Sequence, residues 1–181
     1  MKRWAALLRG VNIGGRKLPM ADLKALVETL GYQDAQTLLA SGNVVFAADG
    51  EGAEIERALE VALSAHGFTT DVLVRDSAEL AAVIAGNPFP DAAADRPNHL
   101  LVTFHRDPVP AELLARLADL YEGPERVEAR NRELYIDFPE GVGQSKLVPA
   151  MAKARFPKCA TARNWNTIGK LAALIADQAA D

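Results

Sequence analysis

Several residue types that define common protein classes are scarce or missing in this sequence of 181 residues. The single cysteine, Cys159, excludes an internal disulfide and suits a reducing compartment, so we expect the cytoplasm. No apolar run approaches the roughly 20 residues needed to span a bilayer, which argues against a membrane protein. The three histidines, His66, His99 and His105, show no metal-ligand spacing, and no GxSxG, HExxH or CxxC motif occurs. The sequence therefore names no metal, no cofactor and no catalytic residue, and whether the protein is an enzyme stays open.

What the sequence does contain is an uneven distribution of charge. The net charge is −4 and the pI is near 5.4, whereas a dedicated nucleic-acid binder is usually basic across its binding domain. Residues 1–21 nevertheless carry five cations and no acid, and residues 141–176 carry six cations and no acid. The remaining residues hold nine cations against all 24 acids. This split favours attraction of an anion at two segments of the chain; a basic, solvated face is the alternative interpretation.

Hydrophobic periodicity predicts a fold of the α+β class. The spacing of apolar residues from Met20 to Leu30 and from Ile55 to Leu63 indicates two helices. Strands are expected before, between and after them, at 3–9, 36–40, 43–47 and 70–74. That order is βαββαβ, the ferredoxin-like arrangement. A further helix is expected at 77–85.

The second half of the sequence partly repeats this order. We expect, in turn, a strand at 98–104, a helix at 110–121, a hairpin of 126–130 with 133–138, and a helix at about 146–156. No final strand is indicated, so the second half is predicted as a partial βαββα followed by a C-terminal helix near 164–178. Proline and alanine residues at 87–97 predict a linker. The sequence thus predicts two ferredoxin-like α/β-sandwich subdomains, at 1–86 and 98–181.

The first candidate binding segment lies between the first predicted strand and the first predicted helix. Glycines let backbone N–H groups approach an anion, and the N-terminus of a helix adds partial positive charge. The glycine spacing matches neither a Walker loop nor a dinucleotide-binding fingerprint, and a tight connection that merely needs glycine is the alternative. The candidate ligand-binding residues here are Arg9, Gly10, Asn12, Gly14, Gly15 and Lys17.

The second candidate segment is the turn between the second and third predicted strands, Ala40-Ser41-Gly42-Asn43. In a ferredoxin-like sheet this turn and the end of the first strand lie at the same edge, so we expect the two polar loops side by side. Pockets commonly occur where such loops converge. Ser41, Gly42 and Asn43 are therefore also candidate ligand-binding residues.

A third candidate segment, residues 161–167, precedes the last predicted helix. Thr161 or Asn164 can cap that helix, so part of the polarity of the segment is structural. Arg163 could pair bidentately with a phosphate or a carboxylate, and the ring of Trp165 could stack on a base or fill the core. The candidate ligand-binding residues of this segment are Arg163, Asn164, Trp165 and Asn166.

The same segments carry a resemblance to a known family. Residues 6–15, 20–23, 41–46 and 161–167 are similar to the bacterial domain-of-unknown-function family 1697. The resemblance spans essentially the whole chain, and it implies two small α+β subdomains of ferredoxin-like character. It implies no activity, because the family has none established, and it transfers no catalytic residues.

The sequence accordingly predicts a protein that binds a small phosphorylated or nucleotide-like ligand at the glycine-rich loop and the Ser-Gly-Asn turn. Two alternatives stay open. Nucleic acid is the less favoured partner, because the candidate central strands offer Trp4 and Phe46 but no RNP-like run, and the acidic remainder would repel a long polyanion. A structural or protein-interaction module with no ligand would instead pair its basic segments with acidic surface of its own or of a partner protein.

Overall fold

The computed structural model describes residues 1–12 and 17–176. Contacts within the chain divide it into two units: Met1–Ala82 together with the chain from Gly169 onward, and Val83–Ile168. Each unit contains a four-stranded antiparallel sheet with helices. The predicted α+β class is therefore confirmed.

The first unit has the predicted order of strands and helices. Its sheet order is second–third–first–fourth strand, and every neighbouring pair is antiparallel. This is the split βαβ topology, in which the first and third strands are central. In chain order, the elements are β1 (Lys2–Leu8), α1 (Met20–Thr29), β2 (Gln33–Leu38), β3 (Asn43–Ala48), α2 (Gly52–Ala65) and β4 (Val72–Asp76), followed by α3 (Ser77–Ala85).

The core of the first unit lies between its sheet and the helices α1 and α2. Trp4 and Leu8 of β1 and Phe46 of β3 pack there against Leu59 of α2. The other face of β1 is buried as well, including Leu7. A central strand that is buried on both faces favours apolar residues at consecutive positions, which explains the apolar run of β1 from Trp4 to Leu8.

The outer edge of β4 is covered by two acidic side chains of α2. Glu60 Oε1 accepts a hydrogen bond of 2.9 Å from the backbone N–H of Val72, and Glu56 Oε1 accepts one of 3.0 Å from that of Val74. Glu56 is 5 % exposed. A carboxylate this deeply buried needs hydrogen-bond partners, and the edge strand supplies them.

The second unit repeats the topology of the first. Its sheet order again places the second strand of the unit at one edge and the fourth at the other. The core on the helical side of this sheet includes Leu117, Leu134, Ile136 and Leu147. In chain order, the elements are α4 (Pro90–Asp95), β5 (Leu100–His105), α5 (Ala111–Leu120), β6 (Arg126–Arg130), β7 (Glu133–Asp137), a short 3₁₀ turn (Val142–Gln144), α6 (Leu147–Lys153) and β8 (Ala160–Asn164). Helix α7 (Trp165–Ala176) begins in the second unit, and its residues from Gly169 onward belong to the first.

Strand β8 is the main addition to the sequence-based prediction, which found no final strand in this half. Thr161 and Arg163 are buried and Ala162 between them is exposed, as in a strand. Arg163 occupies a buried position of β8, so the sequence lacks the alternation of apolar residues that predicts a strand. The observed order of the second unit is therefore a complete βαββαβ.

Smaller differences concern the ends of elements. Helix α6 is shorter than the predicted 146–156, and the last two residues of the helix predicted at 164–178 lie outside the described residues. The segment 87–97, predicted as a linker, contains helix α4. The domain bounds 1–86 and 98–181 stay a prediction. No helix in the described part of the chain has the length and apolar character required to cross a membrane.

Candidate functional site

The structure brings the C-terminal end of β1 and the β2–β3 turn together at the same end of the strands of the first sheet. Leu7 pairs with Asn43, and the backbone N–H of Leu8 donates a hydrogen bond of 2.9 Å to the carbonyl oxygen of Gly42. We refer to residues 9–12, 17 and 39–43 as the loop–turn corner. It contains every candidate residue from the first two segments except Gly14 and Gly15, which lie outside the described residues.

Asn12 joins the two halves of the corner. Its side-chain Nδ2 donates a hydrogen bond of 2.6 Å to the carbonyl oxygen of Ala40 in the turn. Its Oδ1 accepts a hydrogen bond of 2.6 Å from the backbone N–H of Leu18. Asn12 itself has a φ of 62°, a conformation that asparagine tolerates better than most residues. The side chain therefore fixes the beginning and the end of the loop and ties both to the turn.

Asn43 is fully buried, and its side chain holds the turn through two hydrogen bonds. Its Nδ2 donates hydrogen bonds of 2.8 Å to the carbonyl oxygen of Leu38 and 2.9 Å to Ser41 Oγ. Gly42 has a φ of 89°, and a Cβ atom at this position would lie 2.4 Å from Val11 Cγ2. Asn43 and Gly42 thus position the corner, and the exposed candidate in the turn is Ser41.

Two cationic side chains of the corner are exposed. Arg9 Nη1 lies 3.3 Å from Asp71 Oδ2, and both side chains are partly exposed. The hydroxyl of Thr70 donates a hydrogen bond to the carbonyl oxygen of Arg9, which fixes its backbone. Lys17 is exposed, and no ion pair connects it to another residue in the ranges 1–12 and 17–176. Both cations are therefore accessible from solvent, and Arg9 is also paired with Asp71.

The third candidate segment belongs to the second unit. Arg163 is buried on β8, where Nη1 donates hydrogen bonds of 2.6 Å to Thr161 Oγ1 and 2.8 Å to the carbonyl oxygen of Ala162. Burial lowers the pKa of Arg163 to about 10, so the guanidinium is still charged at neutral pH. These contacts give Arg163 a role in the structure of β8.

The other candidates of this segment form the start of α7. Asn164 Oδ1 accepts a hydrogen bond of 2.9 Å from the backbone N–H of Thr167, so Asn164 caps the helix. Asn166 Nδ2 donates a hydrogen bond of 2.7 Å to Asn98 Oδ1. Trp165 is half-buried, and its backbone N–H donates to the carbonyl oxygen of Pro97. These polar groups of residues 163–166 thus have structural partners within the second unit.

Sequence reasoning missed a small polar cluster in the second unit. Glu125 accepts a hydrogen bond of 2.7 Å from the Tyr121 hydroxyl and another from the Ser145 hydroxyl. Burial acts to raise the pKa of Glu125, but the hydrogen bonds from Ser145 and Tyr121 outweigh it and lower that pKa. The cluster borders a groove of about 390 Å³ that Leu114, Leu117 and other residues line. Three polar residues scattered over 25 positions give no motif, so the sequence offers no signal for them.

A second groove, of about 400 Å³, lies in the first unit between α1 and the end of α2. It begins next to the corner, since Leu18 lines it and directly follows Lys17. No group of three or more histidine, cysteine or acidic residues that could hold a metal ion occurs among the described residues. The lining side chains are those of Leu18, Asp22, Ala25, Leu26, Thr29, His66 and Phe68.

Comparison with known proteins decides the family. The family model described as "Protein of unknown function (DUF1697)" matches residues 1–135, about three quarters of the chain. The chain belongs to DUF1697. The resemblance seen in the sequence is thereby confirmed, and the loop–turn corner lies within the matched residues. The third candidate segment, residues 161–167, lies beyond them.

A similar fold has been solved in another chain. The structure described as conserved bacterial protein SP0830 from Streptococcus pneumoniae is similar to this one, with a TM-score of 0.76 and 21 % sequence identity. The similarity covers 97 % of this chain and 99 % of that chain. It supports the α+β fold over nearly the whole length. No curated protein matches the sequence.

Proposed function

We propose that this protein binds a small phosphorylated or nucleotide-like anion at the loop–turn corner of its first unit, which we class as ferredoxin-like. The single observation that carries the proposal is the backbone of the corner. Four residues of two adjacent loops have left-handed φ values: 61° at Gly10, 62° at Asn12, 60° at Leu39 and 89° at Gly42. Glycine adopts this conformation freely, but Asn12 and Leu39 do so rarely, and rare backbone conformations of non-glycine residues cluster at binding sites, where the surrounding structure holds them in place.

The left-handed conformation of Leu39 is stronger evidence for a binding site than that of the glycines. A bulky side chain at positive φ is a genuine outlier and costs of order 1–3 kcal/mol. Leu39 is also 48 % exposed, so burial of its side chain does not compensate this cost. The strain is instead maintained by the hydrogen bonds of Asn12 and Asn43 on either side of the turn.

The positive charge of the corner favours an anionic ligand. Arg9 and Lys17 are its exposed cations, and the loop between them is glycine-rich, which allows close approach of backbone N–H groups. An arginine can bind a phosphate through two parallel hydrogen bonds, whereas a lysine acts as a point charge. Each hydrogen bond to a charged partner contributes about 1.5–3 kcal/mol, enough for measurable binding of a small ligand. The corner thus supports binding, and the reducing conditions that suit Cys159 lead us to propose that it works in the cytoplasm.

The proposal is tested by thermal shift and calorimetric titration of the full chain at low salt with pyrophosphate, ribose 5-phosphate and nucleoside monophosphates. At 100 times its dissociation constant a ligand adds about 2.7 kcal/mol of stability, which is an easily measured shift. We expect at least one phosphorylated probe to stabilise the protein. Arg9→Ala and Lys17→Ala should each weaken its binding about tenfold, which corresponds to about 1.4 kcal/mol.

Arg57→Ala is the matched control, because Arg57 is an exposed arginine of α2 in the same unit and lies outside the corner. It removes the same charge and should leave the affinity unchanged. If no phosphorylated probe binds, or if all three variants lose affinity equally, the corner is not an anion site. The protein-interaction alternative would then become the leading interpretation.

A further inference from the structure

The groove between α1 and α2 is lined by Leu18, the residue that follows Lys17 of the corner in the chain. The hydrogen bond from the Leu18 N–H to Asn12 Oδ1 fixes the residue at which loop and groove meet. Lys17, one of the two exposed cations, immediately precedes that residue. The groove therefore begins one residue along the chain from a cation of the corner, and we infer that a ligand whose anionic group binds at the corner can extend into it.

The chemistry of the groove differs from that of the corner. Leu18 and Leu26 are buried and Phe68 is half-buried, so these side chains give the groove an apolar floor. Asp22 on its rim is an exposed carboxylate, which accepts hydrogen bonds and repels a second anion. The floor suits a flat apolar ring, and Asp22 suits a neutral group that carries N–H or O–H donors.

The size of the groove restricts the ligand further. A volume of about 400 Å³ lies within the range of small-molecule pockets. A plain sugar phosphate would leave the apolar floor uncovered, and the acyl chain of a lipid phosphate offers Asp22 no N–H or O–H donor. A nucleoside satisfies both requirements, since it combines an aromatic ring with hydroxyl and amino donors.

We propose that the ligand is a nucleoside monophosphate, with its phosphate at the loop–turn corner and its nucleoside in the groove between α1 and α2. This inference rests on the proposed function, because the phosphate must bind at the corner. It adds the substrate class: the groove makes the base, and not only the phosphate, a determinant of affinity.

The test compares adenosine 5′-monophosphate, ribose 5-phosphate and adenosine in calorimetric titrations of the full chain. We expect the mononucleotide to bind at least tenfold more tightly than either fragment. Ala25→Trp fills the groove from an exposed position of α1 and should reduce the affinity for the mononucleotide to that for ribose 5-phosphate. Binding of ribose 5-phosphate itself should not change. Asp22→Asn should weaken mononucleotide binding about tenfold, and circular dichroism verifies that both variants are folded.

The matched control is Ala53→Trp, which places the same side chain at an exposed position in the first turn of α2. This position is about 20 Å along the helix from the end that lines the groove, and we expect no effect on any probe. If adenosine 5′-monophosphate and ribose 5-phosphate bind equally and Ala25→Trp changes neither, the inference is wrong while the proposed function stands. If adenosine alone binds as tightly as the mononucleotide, the phosphate has no role and the inference is also wrong. If none of the three binds, the inference fails together with the proposed function.

Discussion

Two glycines of the corner occupy left-handed positions for different reasons. A Cβ atom at Gly10 would meet nothing within 4 Å, so this residue is required only for its backbone conformation. A Cβ atom at Gly42 would lie 2.4 Å from Val11 Cγ2 and 3.1 Å from Leu8 Cβ, so this residue also permits close packing of the two loops. The same residue type thus contributes conformational freedom at one position and space at the other.

This difference gives a prediction at the scale of single residues. Gly10→Ala should destabilise the protein by about 1–2 kcal/mol, the cost of a left-handed conformation for an ordinary residue. Gly42→Ala adds the displacement of Val11 and should cost about 2–5 kcal/mol in total. The free energies of unfolding from urea titrations measure both. Equal losses would show that the contact with Val11 relaxes without cost.

The asparagines of the corner show how far sequence reasoning reaches at this scale. The predicted topology places Asn12 and Asn43 near each other correctly, because it depends only on the order of strands. Their roles as internal hydrogen-bond donors are not predictable, since an asparagine in a loop has the same appearance whether it binds a ligand or a carbonyl oxygen. The exposed cations Arg9 and Lys17 are the candidates that the sequence supplied and the structure leaves accessible.

At the scale of elements, a buried carboxylate connects α4 to the second sheet. Asp137 of β7 accepts hydrogen bonds from Nε and Nη2 of Arg96, which follows α4, and from the same atoms of Arg126 on the edge strand β6. Asp91 within α4 lies 2.7 Å from Arg126 Nη2. The guanidinium of Arg126 also stacks 4.5 Å above the ring of Phe89. These contacts explain why α4 is ordered in a segment whose prolines predicted a linker.

Replacement of Asp137 by asparagine should therefore loosen α4. The Asp137 side chain is 1 % exposed, and removing one partner of a buried pair costs about 3–5 kcal/mol. Hydrogen bonds from Arg96 outweigh burial and, with those from Arg126, lower the pKa of Asp137. Its contribution is therefore complete above the unfolded pKa of about 3.9 and is lost as the pH decreases through the lowered folded value.

Urea titrations at pH 7 and at acidic pH measure this effect. The difference in stability between the wild type and Asp137→Asn should be large at pH 7 and should shrink as the pH is lowered. Asp91→Asn is the control, because the Asp91 side chain is 53 % exposed and solvent screening should leave its ion pairs with little effect on stability. A difference between wild type and Asp137→Asn that is independent of pH would contradict a charged role for Asp137.

At the scale of the whole molecule, the net charge of −4 limits the kind of anion that can bind. A small ligand meets only the local field of the corner, while a long polyanion also meets the acidic remainder of the chain. The sequence alone supports this expectation, because residues 1–21 and 141–176 carry cations and no acid while all the acids lie elsewhere in the chain. The position of the groove, in contrast, depends on the packing of α1 against α2 and is not readable from the sequence.

The salt dependence of binding tests the expectation. With Arg9 and Lys17 as the only phosphate contacts, a single-stranded oligonucleotide should show a slope of log affinity against log salt of about −1.4. It should bind no more tightly than a mononucleotide. Fluorescence anisotropy with a labelled 20-mer at several salt concentrations measures both quantities. A slope steeper than about −4 would require many phosphate contacts and would favour a nucleic-acid-binding protein.

The acidic side chains that cover β4 have a consequence for association between molecules. An edge strand normally presents a row of backbone donors to which a strand of another chain can add, and many proteins prevent this with surface charge. Here Glu56 and Glu60 occupy the donors of Val72 and Val74 through short-range hydrogen bonds. Dissolved salt screens charge repulsion far more than it weakens such bonds. This edge of the first sheet therefore stays closed to strand addition even at ionic strengths at which repulsion between like-charged molecules no longer keeps them apart.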